Sequence, residues 1–233
     1  MKSHLLITCL LLTISAIGQK HSISINYKPS VTCFGKQSQS FSNYYFISRK
    51  GDWTYNNVIN VLYNYKINSR ITFSTGLEYS QQGQNINFNV DSDFPNFNKQ
   101  ILKIELNYLR IPFIADYSII KIEKLELSVY SGISLGLAIK RKDNYQNIIL
   151  EDILLPPAEK RYKDADWAIP IGVACKKEIT SKLFTTFGCE YSLGLTNAFS
   201  ENSVSKYGVL SEFDNSKQNR FSLNIGIGFS LTK

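Results

Sequence analysis

Eight stretches of this chain alternate apolar and polar residues with a period of two. The spacers between them alternate long and short, at roughly 19, 4, 18, 6, 24, 5 and 21 residues. A period of two is that of a β-strand, whose successive side chains leave opposite faces. Alternating spacers join successive strands by a tight turn at one end and a wide loop at the other, which is an antiparallel up-and-down order. An even number of strands returns both termini to the tight-turn end. The pattern predicts an all-β fold, an eight-stranded antiparallel up-and-down transmembrane β-barrel of OmpA/OmpX-like size. Its short turns face the periplasm and its long loops lie outside the cell.

The alternation is clearest over residues 125–140. There Leu125, Leu127, Val129, Ile133, Leu135, Leu137 and Ile139 share a parity against Glu126, Ser128, Tyr130, Gly132, Ser134 and Gly136. Residues 218–231 read the same way, with Phe221, Leu223, Ile225, Ile227, Phe229 and Leu231 opposed by Arg220, Ser222, Asn224, Gly226, Gly228 and Ser230. The other strands are expected at about 21–34, 54–66, 70–80, 100–117, 165–176 and 182–197. A soluble two-sheet protein would bury the apolar parity against a second sheet, whereas a barrel in lipid points it outward. Residues 100–117 switch parity: Leu102, Ile104, Leu106 and Tyr108 are even, and Leu109, Ile111, Phe113, Ala115 and Tyr117 are odd. One extra residue near Tyr108-Leu109 keeps all of them on one face. A β-bulge is therefore expected there, with Pro112 beside it because proline cannot donate to a ladder. Pro170 marks a second irregularity. Tyr27, Tyr63, Tyr65, Tyr79, Tyr108, Tyr117, Trp167 and Tyr191 are candidates for interfacial aromatic girdles.

Residues 1–18 read as a secretory signal: Lys2, then an apolar run from Leu5 to Ile17, then the small-x-small site Ala16-Ile17-Gly18. The competing reading is a buried N-terminal helix. Cleavage leaves a barrel domain over 19–233 that begins at Gln19. No later stretch is apolar for the 18 residues a membrane helix needs. Cys33, Cys175 and Cys189 then remain, without CxxC spacing, alongside His21 as the one histidine. Zinc-type ligand sets are thus absent. Cys175 and Cys189 share a parity on neighbouring strands, which leaves either a disulfide or two small lipid-facing side chains. The net charge of +7 is spread among loops and turns rather than gathered in one basic face, so nucleic acid is not expected as a partner. At the short turns Lys66, Arg70, Lys121, Lys124, Lys176, Lys177 and Lys182 outnumber Glu123 and Glu178. That rim suits either lipid phosphates or plain solvation.

Eight strands enclose a lumen only wide enough for side chains to fill. By parity Arg70, Glu78, Lys103, Glu105, Glu126, Glu190 and Arg220 point into it. Charges confined there must pair, so an internal ion-pair network is expected to plug the barrel, and a gated ion or proton path is the alternative. Arg110, at the parity switch, receives no side. Hydrolase chemistry lacks a histidine base at the outer rim, since His21 falls at the periplasmic end. No GxSxG, HExxH, P-loop or Rossmann fingerprint occurs. No catalytic, metal or cofactor residues are therefore assigned. Asp91-Ser92-Asp93 begins like a calcium loop but lacks the glycine and distal glutamate of an EF-hand. The loop over 141–164, with Pro156-Pro157 and the apolar stretch 148–155, reads as a solvated loop, a partner-binding segment or a lid.

Two motifs carry a family resemblance. Tyr108-Leu109-Arg110-Ile111-Pro112-Phe113 resembles the Y-L-x-I-P-apolar stretch of PorT-like outer-membrane β-barrel proteins of the Bacteroidetes. Tyr191-Ser192-Leu193-Gly194-Leu195-Thr196-Asn197 is similar to the Y-x-x-G-L-x-N element late in the same barrels, and residues 222–231 to their glycine-dotted last strand. The chain departs from the pattern at Arg110, where an acidic residue is frequent. It also departs in its ending, where Phe229 or Leu231 takes the place of a terminal aromatic read by the barrel-assembly machinery. The resemblance implies location and fold, not one activity.

Three functions are in play: a non-enzymatic, monomeric outer-membrane barrel displaying its loops to a protein partner; a secretion-accessory or transport component meeting a periplasmic partner; and a soluble exported lipocalin-like barrel. The third would point its apolar parity inward. The first two need outer-membrane lipid on the outside, and none needs a cofactor.

Overall fold

The computed structural model describes residues 20–34, 40–41, 46–91, 100–146, 162–198 and 217–231. Ten strands run in chain order: β1 Lys20–Phe34, β2 Ser40–Phe41, β3 Phe46–Asp52, β4 Thr54–Lys66, β5 Ile71–Asp91, β6 Gln100–Ile122, β7 Leu125–Gln146, β8 Ala165–Glu178, β9 Leu183–Asn197 and β10 Lys217–Ser230. Eight of them, β1 and β4 to β10, pair antiparallel with their neighbours. β10 returns to β1 and β5 joins β6, so the sheet closes. The expected signal segment, Ser92, Asp93 and residues 147–161 lie outside the described residues.

The register fixes the barrel's tilt. One unbroken row of partners runs His21, Tyr65, Phe73, Ala115, Ser131, Ile171, Tyr191, Phe221 and back to β1 at Val31, ten residues from its start. A stagger of that kind obliges strands to lean from the axis, by about 35–45° in barrels generally. Odd-numbered residues of the row and its neighbours face out. Ile25, Val61, Leu77, Phe113, Val129, Ile171, Phe187 and Ile227 are each about half exposed. The apolar set on β10 runs from Phe221 to Phe229, which spans about 20 Å of height at ~3.3 Å per residue once tilted. That matches the hydrocarbon band of outer-membrane barrels, about 25 Å.

Short turns close with their own side chains. Asn68 Oδ1 accepts the backbone N–H groups of Arg70 and Ile71, both at 2.8 Å, and Thr180 Oγ1 accepts from Leu183 N at 3.0 Å. Such Asx and Ser/Thr turns satisfy backbone donors that a tight reversal would otherwise leave open. At the opposite end β5, β6 and β7 extend well beyond the barrel wall. β3 continues the line of β4 against β5, pairing Phe46 with Asp91 and Asp52 with Asn85. β7 pairs with β8 only as far as Leu137, although β6 accompanies it to Gln146. β2 and β3 carry no apolar alternation in sequence, so they were not anticipated.

β6 corrects two expectations. It keeps constant register against β5 from Glu78↔Arg110 through Phe88↔Gln100, with no added residue at Tyr108-Leu109. A shift does occur against β7, where Asn107 pairs with Lys140 and Tyr108 with Ala138, so the surplus residue is Ile139 of β7. Ile104, Leu106 and Tyr108 point inward and are buried, and Tyr108 is no girdle residue. The hydrophobic parity reverses because the solvent does. Above the membrane the outer face of β6 meets water and the inner face seals the lumen. Pro112 and Pro170 lie where one ladder is open while the other stays paired, with Ser134 and Ser192 respectively, and register is kept across each opening.

Candidate functional site

Even-numbered residues fill the lumen, and two carboxylates reach into it from opposite walls, Glu78 on β5 and Glu190 on β9. Lys28 of β1 and Arg220 of β10 bridge them. Lys28 Nζ lies 3.4 Å from Glu78 Oε2 and 2.7 Å from Glu190 Oε2. Arg220 contacts Glu78 Oε1 at 3.2 Å through Nη1 and Glu190 Oε1 at 2.7 Å through Nη2. All four side chains are 5 % exposed or less. Neutral groups complete the layer: Asn60 Nδ2 donates to Glu78 at 3.3 Å, the Tyr130 hydroxyl donates to Glu190 at 3.2 Å, and Ser80 Oγ accepts from Arg220 Nη1 at 2.8 Å. Two positive and two negative charges balance, as a water-poor site requires.

Above this layer Arg110 pairs with Asp166, which also accepts from Thr196 Oγ1 at 2.6 Å. The Arg110 guanidinium stands 5.0 Å from the Tyr108 ring centre. Apolar side chains pack above it: Val58, Ile104, Leu106, Tyr108, Tyr162 and Ala198 are all buried. Tyr162 donates to Asp143 Oδ1 at 2.7 Å, holding the loop end over the mouth. Below the layer lies a polar chamber of about 350 Å³, lined among others by Ser22, Asn64, Lys66, Asp116, Glu126 and Lys176. Its roof is a second polar tier, in which Thr186 donates to Asn26 at 3.0 Å and Asn26 to Asn60 at 2.8 Å. Glycines make room for these crossings. A Cβ at Gly228 would sit 2.1 Å from the Phe184 ring, and one at Gly172 would sit 2.4 Å from that of Tyr130.

Of the seven charges expected inside by parity, the structure brings together Glu78, Glu190 and Arg220. Glu126 also faces inward, but lower, and pairs with Lys66 at 3.5 Å in the chamber. Three stand elsewhere. Arg70 is exposed at the short-turn end and donates to the Tyr117 hydroxyl at 3.2 Å. Lys103 and Glu105 lie on the outer face of β6 above the membrane, 3.4 Å apart, with Lys140 Nζ 3.0 Å from Glu105. The Lys140 ammonium, through its hydrogen bond, holds the Glu105 carboxyl below the usual glutamate range. Parity placed Lys103 and Glu105 wrongly because it assumed a bulge that β6 does not have. Lys28, Arg110, Asp166 and Tyr130 are the members that sequence reasoning missed. Lys28 was legible, two residues beyond Asn26 on the same parity.

The two motifs have structural reasons. Tyr108, Arg110 and Pro112 alternate inward into the seal, and Leu109 faces out. Tyr191 and Leu195 face lipid, and Gly194 faces in where β9 and β10 lose register between Lys217 and Asn219. A Cβ on Gly194 would lie 2.3 Å from the Gln218 carbonyl oxygen. Asn197 pairs with Lys217 just beyond that break. Cys175 and Cys189 are free thiols on adjacent strands, opposite Phe187 and Val173 rather than each other. No group of His, Cys, Asp and Glu able to hold a metal occurs among the described residues.

The model of the outer membrane protein β-barrel domain family matches residues 18–200. No curated protein sequence matches the chain. Among solved structures, the outer membrane protein OprG of Pseudomonas aeruginosa superposes with a TM-score of 0.52 at 8 % identity, covering 92 % of this chain and 97 % of that one. Neisserial surface protein A gives 0.49 at 9 % identity, with 90 % and 96 % covered. Ail, the attachment invasion locus protein of Yersinia pestis, gives 0.44 at 12 %, with 91 % and 99 % covered. At these identities the likeness to OprG speaks for the fold alone.

Proposed function

The chain belongs to the outer membrane protein β-barrel domain family and resides in the outer membrane, and from that premise we propose that it is a non-enzymatic, sealed barrel that displays an interaction surface outside the cell. The observation that carries this reading is the closed lumen. Four buried charges link opposite walls, and apolar side chains pack above them, leaving no room for a wide channel. A pore would need those charges hydrated and apart. The protruding sheet of β3, β5, β6 and β7 supplies what a sealed barrel can offer, a raised surface on which β7 beyond Leu137 has no strand partner but β6 among the described residues, while β2 covers β3 at Phe46 and Ile47. Open edges are a ready template for pairing with another chain. Within the family, Tyr108 to Phe113 and Tyr191 to Asn197 favour kinship with the PorT-like barrels. A secretion-accessory role is the second reading, favoured by the hollow, lysine-rich short-turn end.

The purified protein is expected to give no steady conductance in planar bilayers, and large stable channels would overturn the seal. Photo-cross-linkers at Lys103 and Lys142, both exposed on the protruding sheet, are expected to capture protein added outside intact cells. Capture only from Lys177, at the opposite end, would favour the secretion-accessory reading.

A further inference from the structure

We infer that the chamber at the short-turn end of the lumen is a binding site for the free carboxylate end of a peptide chain presented from the periplasm. The inference rests on the sealed lumen of the reading above, because the seal makes the chamber a dead end. None of the four bridging charges lines it, and its lining reaches the turn residues Thr180, Ser181 and Lys182. A polymer can enter a dead end only by a terminus. About 350 Å³ holds on the order of ten waters at ~30 Å³ each, or the last two or three residues of a chain.

Charge selects which terminus. Lys66 is neutralised by Glu126 at 3.5 Å. Lys176, half-buried in the same wall, makes no direct ion pair or hydrogen bond among the described residues, and Glu126 and Glu178 attract it only from beyond contact distance. Its Nζ sits 3.9 Å from the centre of the Phe184 ring, which orients the ammonium without neutralising it. Lys121 and Lys182 line the mouth, with Arg70, Lys124 and Lys177 exposed around it. Two carboxylates oppose them, Glu178 and Asp116, and the latter is already hydrogen-bonded by Ser128 Oγ at 2.8 Å. Lys121 and Lys182 meet an entering carboxylate at the mouth, Lys176 beside Phe184 receives it in the wall, and the hydroxyls of Ser22 and Ser24 donate to backbone carbonyls of the same chain end. An N-terminal ammonium meets Lys121 and Lys182 at the same mouth and Lys176 behind them, and is repelled.

The test is fluorescence anisotropy of a labelled acidic pentapeptide titrated with the folded full-length protein in detergent at low salt. The free-acid peptide is expected to bind. C-terminal amidation, or Lys176→Gln, is expected to weaken binding about tenfold or more, the scale of one lost charge-assisted hydrogen bond. Lys176→Arg is expected to retain binding, and Lys177→Gln, on the outward face of the same strand, to change it less than about twofold. Equal binding of acid and amide, equal losses from the two glutamine variants, or full displacement by equimolar inorganic phosphate overturns the inference. If Lys176→Gln fails to fold by heat-dependent gel mobility, the acid-against-amide comparison on the unaltered protein decides alone. Conductance measured on the same preparation separates the two claims. Absent binding with no channel sinks only the chamber, whereas a channel sinks the seal.

Discussion

Two ion clusters in this barrel use the same chemistry in opposite settings. In the lumen Lys28, Glu78, Glu190 and Arg220 are 5 % exposed or less, and each cation touches both carboxylates. On the protruding part of β6 and β7, Lys103 and Lys140 share Glu105 at comparable distances, but the lysines are half exposed. Distance alone would rank the clusters as equals. Water decides otherwise, because exposed charges keep their hydration whether or not they pair, and buried ones have no alternative to pairing. The inner cluster is thus a structural obligation and the outer one an ornament of solubility.

The comparison breaks most easily at Arg220. Arg220→Leu leaves two buried carboxylates to one lysine, with an expected loss of about 3–5 kcal/mol in urea unfolding from detergent or bilayers. A loss below about 1 kcal/mol would mean that the layer is wetter than its geometry implies. Pairing that change with Glu190→Gln should recover part of the loss, because the uncompensated charge goes with its partner. Lipid provides the second contrast. Ile225→Arg puts a charge on the outer face at mid-band, where about 2–4 kcal/mol is expected, although the same residue type is at home at position 220 on the inner face of that strand.

Gly228→Ala and Gly194→Ala sharpen the comparison at about 1–3 kcal/mol each. The first clashes with the Phe184 ring and the second with the Gln218 backbone. Phe184→Leu should rescue the first, whereas no side-chain change should rescue the second. Smallest of all, Lys103→Ala should cost under about 0.5 kcal/mol. Glu105 titrates below its unfolded value, so the contribution of its pairs is present at neutral pH. It fades only as pH falls through the acidic range, as a shallow slope in stability against pH that Lys140→Ala reduces and that the further loss of Lys103 removes.

Alternation made the barrel legible. From 125 to 139 the lipid face of β7 could be read directly, because hydrocarbon tolerates no charge and the pleat keeps a strict period of two. Glu78, Glu190 and Arg220 were legible as inward for the same reason. β6 was misread where it leaves the bilayer. Ile104 and Lys103 exchanged sides there because hydrophobicity reports which face is dry, and above the membrane the dry face is the inner one. The extension through β3 carries no apolar alternation in the sequence, so only its pairing with β5 reveals it. Lys28, between Tyr27 and Pro29, has the inward parity of Asn26, but no apolar neighbour at Pro29 marks the alternation there.

By itself the sequence determined the number of barrel strands, their antiparallel order and, within the membrane band, which face meets lipid, since each follows from local periodicity and spacer length. Only closure of the sheet decided which charges meet. Glu78 and Glu190 are 112 positions apart, and they share Lys28 and Arg220 because a ten-residue stagger brings their levels together across a narrow lumen. No local pattern encodes that stagger. It is the sum of register around all eight ladders, fixed when β10 hydrogen-bonds to β1.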